Sequence, residues 1–391
     1  MRILIVHNYY KQPGGEDQVF RSEVELLRSR GHDVFTLEAT NDEIPDEPSI
    51  KDSLTIARDT VWSSKGYRLV YEAVTGNSID IVHFHNTFTR VSPAAYWAAK
   101  KAGARVVQTL HNYRLFCLNA QFYRDNRVCE DCLRRPVPWP GVLHKCYRQS
   151  RLGSTTVAVM LTLHRSLRTF STYVDAYIAL TEFARLKVIE GGLSPQKVYV
   201  KPNFLLDDPG KGSHLGGYAL FVGRLSEEKG VSVLLEAWHL LDLNLPLRIV
   251  GDGPLIEKVA TAAQHDRRIE YLGRLPRDEV RHQMREATLL IVPSVWYEAF
   301  PMVIVEAYAC GLPVVGSKIG SLDSLIEDDI QGIKYPPGNP ESLAESINYL
   351  VSRPNKLAEM SVNARRTYED NYNADANYNS LMHIYSEVLS K

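Results

Sequence analysis

Short apolar runs alternate with helical stretches along nearly the whole chain, and they do so in two series. The first comprises "RILIVHN", "DVFTLEA", "IDIVHFHN", "ARVVQTLHN" and "DAYIALTE". Between them lie the helical stretch from Glu16 to Arg30, closed by Gly31, and "SPAAYWAAKKAG". Near-continuous apolar strands separated by helices specify a parallel sheet covered on both faces. A Gly- and Asp-rich linker, "LLDDPGKGSHLGG", interrupts the pattern. A second series then follows: "YALFVGRL", "PLRIVGDG", "IEYLGRL", "TLLIVPSV" and "LPVVGS". The expectation is α/β, with two doubly wound domains at 1–204 and 205–372 and a cleft where the carboxyl ends of both sheets face each other. Ligands bind such sheets at those ends. A chain of 391 residues, 45% hydrophobic and 23% charged, is long enough for two cores. In the last segment, 373–391, Tyr378, Leu381, Tyr385 and Val388 fall at helical spacing and need a surface to pack on.

Two carboxylates bracket an apolar run in "EAFPMVIVE", Glu298 to Glu306. Pro301 fits the first helical turn, and Gly311 and Pro313 mark the far end, so a short helix "PMVIVEAYAC" is expected. Glu298 then lies in the preceding loop and Glu306 inside the helix. The free N–H groups between them, around Phe300, Pro301, Met302 and Val303, form an anion site. A ligand with hydroxyls at both ends and phosphate in the middle would satisfy it. In "GRLSEEKG", Arg224 and Lys229 follow a strand and can neutralise a diphosphate without a metal. The small residues of "GDGP", Gly251 to Pro254, allow a close approach or a tight turn. In "QPGGEDQ", Gly14 and Gly15 can bring backbone N–H groups to phosphate at a helix start. His111 ends its strand and can hydrogen-bond a sugar hydroxyl or steady developing charge, and it can equally be structural. His83 and His85 are expected on opposite faces of their strand, leaving at most one to reach a ligand.

The formal net charge of −1 gives no general pull toward nucleic acid. The apolar run in "MRILIVHNYY" is too short for a signal peptide, and no apolar segment is long enough to span a bilayer. A cytoplasmic place, extending to the inner face of a membrane, is expected. No G-x-G-x-x-G follows the first strand, which disfavours a nicotinamide dehydrogenase.

In order and spacing, "GGEDQ", "TLHNYRLFC", "GRLSEEKG", "GDGP", "LGRL" and "EAFPMVIVEAYACGLPVV" resemble the retaining GT-B glycosyltransferases of glycosyltransferase family 4. The resemblance spans nearly the whole chain. It implies a GT-B fold in which the C-terminal helix returns to the first domain. It also implies metal-independent transfer of a hexose, glucose first, from a UDP-sugar to a saccharide or lipid-linked acceptor in polysaccharide assembly. Glu298 would hold donor-sugar hydroxyls and Glu306 the ribose. Arg224 and Lys229 would hold the diphosphate, with His111 near the transferred sugar and Arg274-Leu275 at the base. One departure stands out: the common "GGAE" reads "GGED" here, with Glu16 in the alanine's place. The rivals are a sugar-nucleotide epimerase on the same architecture and a UDP-sugar-binding protein that turns nothing over.

An insertion, 113–150, carries Cys117, Cys129, Cys132 and Cys146. The C-x-x-C with two further cysteines has the ligand count of a structural zinc site, and free or redox-paired thiols are the equal alternative. Cys310 reads as a small buried residue. The apolar stretch "RLGSTTVAVMLTLHRSLRTF", with Arg151, Arg165 and Arg168, reads as a buried crossover helix ahead of a membrane-surface helix.

Overall fold

The computed structural model describes residues 1–11, 14–45 and 49–391. Gln12 and Pro13 of the "QPGGEDQ" motif lie outside the described residues. The chain divides into two compact units, one of Met1–Phe122, Cys129–Asn203 and Asn377–Lys391, the other of Tyr123–Val128 and Phe204–Ala376.

In the first unit six strands form one parallel sheet: β1 (Arg2–Tyr9), β2 (Asp33–Thr40), β3 (Ile81–Phe84), β4 (Arg105–Leu110), β7 (Ala176–Ala179) and β8 (Val198–Val200); the short hairpin of β5 (Tyr123–Arg124) and β6 (Arg127–Val128), between β4 and β7 in the chain, belongs to the other unit. Their order is β2-β1-β3-β4-β7-β8. Ile3, Leu4, Ile5 and Val6 are all buried, as a central strand covered on both faces requires. The C-terminal helix Ala374–Ser390 lays Leu381, Ile384, Tyr385 and Val388 into the core made by Ile3, Ile5, Phe20, Ile81 and Val107. The return of this helix to the first sheet is therefore observed.

The second unit repeats the plan with β9 (Ala219–Val222), β10 (Leu247–Val250), β11 (Ile269–Gly273), β12 (Leu289–Val292), β13 (Val314–Ser317) and β14 (Gly332–Tyr335). They are ordered β11-β10-β9-β12-β13-β14, again all parallel. Strand order reverses between β1 and β3 in the first unit and between β9 and β12 in the second. Those switch points open a crevice at the carboxyl ends of the strands. β8 and β14 close the far edge of each sheet and extend beyond the strands expected from the sequence. Among the described residues no helix is long and apolar enough to cross a membrane.

The helix Arg151–Ser166 departs from the buried crossover expected. Val157, Met160, Leu161 and His164 are buried, whereas Leu152, Val159 and Leu163 face outward. Arg165 is drawn inward, donating to the carbonyls of Leu115, Arg135 and Pro136, and so ties the insertion to the helix.

Candidate active site

In the second unit the loops after β9 and β12 meet at the switch point. Gly230 makes this contact fit: its φ is +71°, and a Cβ there would lie 1.9 Å from the Pro293 carbonyl oxygen. Only glycine meets both demands. The Val295 N–H donates to the Glu228 carbonyl at 2.9 Å, pinning one loop to the other. Lys229 Nζ is thereby placed 2.7 Å from Glu298 Oε2. The other oxygen of the buried Glu298 accepts from the Ser294 hydroxyl. Arg224, two residues past β9, is exposed, and among the described residues it makes no ion pair.

The following helix runs Met302–Cys310, with Pro301 as its cap at ψ 97° rather than as its first residue. The extended backbone at the proline delays the start by one residue. Ile304 N–H is satisfied by the Pro301 carbonyl, so the open N–H groups of the first turn are those of Met302 and Val303, just beyond Phe300. Gly311 closes the helix in the left-handed conformation, φ +71°. Glu306 lies one turn inside; burial pushes its carboxyl above the usual range, and Arg277 and Arg281 oppose that rise.

The turns after β9, β10 and β11 are stitched together. A Cβ on Gly251 would lie 1.8 Å from the Gly223 carbonyl oxygen, so this glycine is required by packing of turn on turn. Gly251 N–H donates to the Gly273 carbonyl at 2.8 Å, which brings Arg274 and Leu275 to the same rim. Arg274 is exposed and 3.8 Å from Asp252, while Leu275 leans on the core.

In the first unit Gly14 caps the helix Gly15–Ser29, but its N–H donates to Asp17 Oδ2 at 2.9 Å. Gly14 is thus not open to a phosphate oxygen, which corrects the reading of this pair, and the N–H of Gly15 remains. Asp17, part of the departure "GGED", caps the helix and meets His7 Nε2 at 2.7 Å with its other oxygen. Glu16 is different: burial and the neighbouring Asp17 carboxylate push its pKa to about 8, against the pull of Arg114 and Asn112. An unfolded chain ionises this residue first, so its contribution falls as pH rises from 4.5 to about 8. Glu16→Gln is expected to raise stability at pH 8, on the order of 1 kcal/mol for a half-buried group, and to change nothing at or below pH 4.5. Thermal melts of both chains across that range check it.

His111, one residue past β4, lies in a buried polar chain. Its Nε2 is 2.9 Å from His85 Nδ1, and His85 Nε2 is 3.1 Å from Glu23 Oε1. His83 Nδ1 is 3.0 Å from the same oxygen. His83 and His85 therefore reach one partner. Residues two apart on a strand share a face, which corrects the expectation that they diverge. Lys201 Nζ lies 2.9 Å from Glu23 Oε2, and both side chains are fully buried. Although burial pushes Glu23 up, Lys201 and the two imidazoles hold its carboxyl well below the usual range. Burial and the nearby histidines hold His111 well below the ordinary histidine value. Neither Glu23 nor Lys201 was singled out from sequence. The available signal is a carboxylate on an apolar stripe, four residues from Val19 and from Leu27.

Of the four insertion cysteines, Cys117 and Cys132 are buried and Cys129 and Cys146 partly so. Burial raises Cys132 to about 12, and Cys117, Cys146 and Cys129 add to the rise, which puts all four sulfurs in one neighbourhood. Among the described residues the trio with ligand atoms within 4.8 Å of one another is Glu23, His83 and His85, and that carboxylate already holds the Lys201 ammonium. Cys310 is buried, as expected.

Residues 14–203 match the model of a "Glycosyl transferase 4-like domain", and residues 216–367 that of "Glycosyl transferases group 1". Both are glycosyltransferase domains, and the fold is GT-B. The glycosyltransferase domains are 24% identical over 412 residues to a phosphatidyl-myo-inositol mannosyltransferase of Mycobacterium leprae, covering 100% of this chain and 98% of that one. They are 28% identical over 215 residues to the amylovoran biosynthesis glycosyltransferase AmsK of Erwinia amylovora, covering 52% of this chain and 51% of AmsK. The chain spans about half the length of the first curated relatives it matches. The crystal structure of Anabaena HepE in complex with UDP superposes with a TM-score of 0.71 at 18% identity, covering 99% of this chain and 100% of HepE, a likeness of fold.

Proposed function

We propose that the protein is a retaining, metal-independent glycosyltransferase of family 4. It moves a hexose, glucose first, from a UDP-sugar to a saccharide or lipid-linked saccharide in polysaccharide assembly, on the cytoplasmic side. The observation that carries this reading is the Lys229–Glu298 pair at the second switch point, next to the open N–H groups of Met302 and Val303. An ammonium, a carboxylate and a helix start together can hold a diphosphate and the sugar attached to it. HepE has been crystallised with UDP and glucose, and AmsK takes part in amylovoran biosynthesis, which support donor and pathway class.

Arg224 and Lys229 take the negative charge that grows on the diphosphate as the sugar leaves. Glu298 accepts from donor-sugar hydroxyls, Glu306 from the ribose, and the Arg274-Leu275 turn meets the base. His111 meets the transferred sugar. The sugar–phosphate bond breaks, the acceptor oxygen bonds the same carbon on the same face, and its proton passes to the leaving diphosphate. No nucleophilic side chain is assigned, so no covalent intermediate is invoked.

Glu306→Ala is expected to weaken UDP itself by about 1.5–3 kcal/mol, the range for a hydrogen bond to a charged group. Glu298→Ala is expected to leave UDP binding intact and to impair transfer. Calorimetry with UDP checks both, and an equal loss in the two variants would remove the division of labour. Product analysis without acceptor separates the transferase from an epimerase, and turnover of any kind separates it from a silent binder.

The outward apolar face near the insertion favours a peripheral membrane contact as well. Trp139 and Leu143 are 52% and 57% exposed and lie near Leu163 and Val159, with Arg135 stacked on Trp139. An indole and a cation side by side suit a headgroup boundary. Vesicles containing anionic lipid are expected to pellet the protein, and Trp139→Ser with Leu143→Ser to release it.

A further inference from the structure

The buried chain behind His111 has more order than a structural hydrogen-bond network needs, because its charges fix where the protons of His85 and His111 sit. Glu23 Oε2 receives the Lys201 ammonium, and Glu23 Oε1 faces two ring nitrogens, one from His83 and one from His85. One carboxylate and one ammonium already balance, so both imidazoles are neutral; a third buried charge would have no counter-ion. A neutral His85 has one N–H. Its Nε2 faces an ionised oxygen that can only accept, so the proton is on Nε2 and Nδ1 is an acceptor. The Nδ1 of His85 is 2.9 Å from His111 Nε2, so His111 must donate there. His83 Nδ1 hydrogen-bonds the Tyr385 hydroxyl at 2.8 Å as well as facing Glu23 Oε1 at 3.0 Å, and its Nε2 meets the Thr109 hydroxyl at 2.8 Å.

We propose that Glu23 and His85 are positioning residues that hold His111 in one tautomer, protonated on Nε2, with Nδ1 left as a hydrogen-bond acceptor. This rests on the reading that His111 meets the transferred sugar, and it deepens that reading. A neutral ring with an open lone pair accepts from a sugar hydroxyl and tolerates positive charge growing on the sugar carbon. An imidazolium would repel that charge. The burial that keeps His85 down, to about 4, and His111 well below its ordinary value acts in the same direction. The anchor of the chain is the C-terminal helix, whose Asn377 Oδ1 accepts from Lys201 Nζ at 3.3 Å and whose Tyr385 hydroxyl lies 2.8 Å from His83 Nδ1.

Long-range nitrogen–proton NMR on the full chain, labelled with ¹⁵N-histidine, reads the tautomer directly. His111 signals are identified by their loss in His111→Gln. The expected result at neutral pH is a pyrrole-type Nε2 and a pyridine-type Nδ1; a proton on Nδ1, or on both nitrogens, overturns the proposal. His85→Asn, which keeps the Glu23–Lys201 pair, is expected to leave His111 in a mixture of tautomers. In that variant kcat should fall about tenfold, the equivalent of one hydrogen bond, with the KM for donor unchanged. A fall in activity that only tracks loss of folded protein, with the His111 signals unchanged, overturns it too. If the tautomer is as stated while no sugar nucleotide is turned over, the transferase reading fails and the positioning network stands.

Discussion

Cutting the chain at Asp375 is expected to unfold the first unit while the second keeps its own transition. The cut removes Leu381, Ile384, Tyr385 and Val388 from the core of the first sheet. Each such side chain contributes about 1.5–3 kcal/mol by burial, so the sum reaches the whole stability of an ordinary domain. It also uncovers Lys201, which donates to Asn377 and pairs with Glu23 in full burial. A buried ion pair exposed on one side relaxes toward water and no longer holds its histidines. Thermal or urea unfolding followed by tryptophan fluorescence checks this, and residues 1–204 mixed with the helix as a peptide should recover structure. A truncated chain that melts as the intact one does, or a peptide without effect on 1–204, would count against the assignment of the helix to this core.

Replacing Arg224 or Lys229 by alanine is expected to lower transfer by about 10²–10³, as for loss of one preorganised charge-stabilising donor. The two losses differ in kind. Arg224 is exposed, so its removal leaves the fold alone and reports the diphosphate charge directly. Lys229 also holds the buried Glu298 at 2.7 Å, so its removal disturbs the sugar side as well. EDTA in a short assay is expected to leave the rate unchanged. Immediate loss restored by magnesium or manganese would show that a metal rather than the cation pair carries the charge. Zinc content of the purified chain reads the insertion thiols independently: about one equivalent assigns Cys117, Cys129, Cys132 and Cys146 to a structural site, and none leaves them as free or redox-paired thiols.

Ten strands of the two main sheets were legible as apolar runs, because a strand buried on both faces has to be apolar nearly throughout. β8 and β14 were not: one has three residues, and Lys334 interrupts the other. The end of the Glu306 helix was readable from Gly311, where a left-handed residue is needed, while its start was misread by one residue, as helix boundaries commonly are. Glu298 and Lys229 were both visible as candidates, but their contact spans 69 positions and belongs to sheet order, not to any local pattern. Glu23 was hidden for the opposite reason: it sits in a regular amphipathic helix, and its partners come from 62, 60 and 178 residues away. The departure from the common glycine-loop pattern was visible at Glu16, but not that Asp17 beside it would cap the helix through the Gly14 N–H and meet His7.

The return of the C-terminal helix also sets an order of assembly. A ribosome releases residues 1–203 long before Asn377–Lys391, and the core of the first sheet is incomplete without them. The second unit is almost wholly contiguous, Phe204–Ala376, and nearly all of it has emerged when the last helix begins. Synthesis normally favours the domain that comes first. Here the earlier segment must wait for Asn377–Lys391, so the nascent chain carries an open apolar sheet face until those residues emerge.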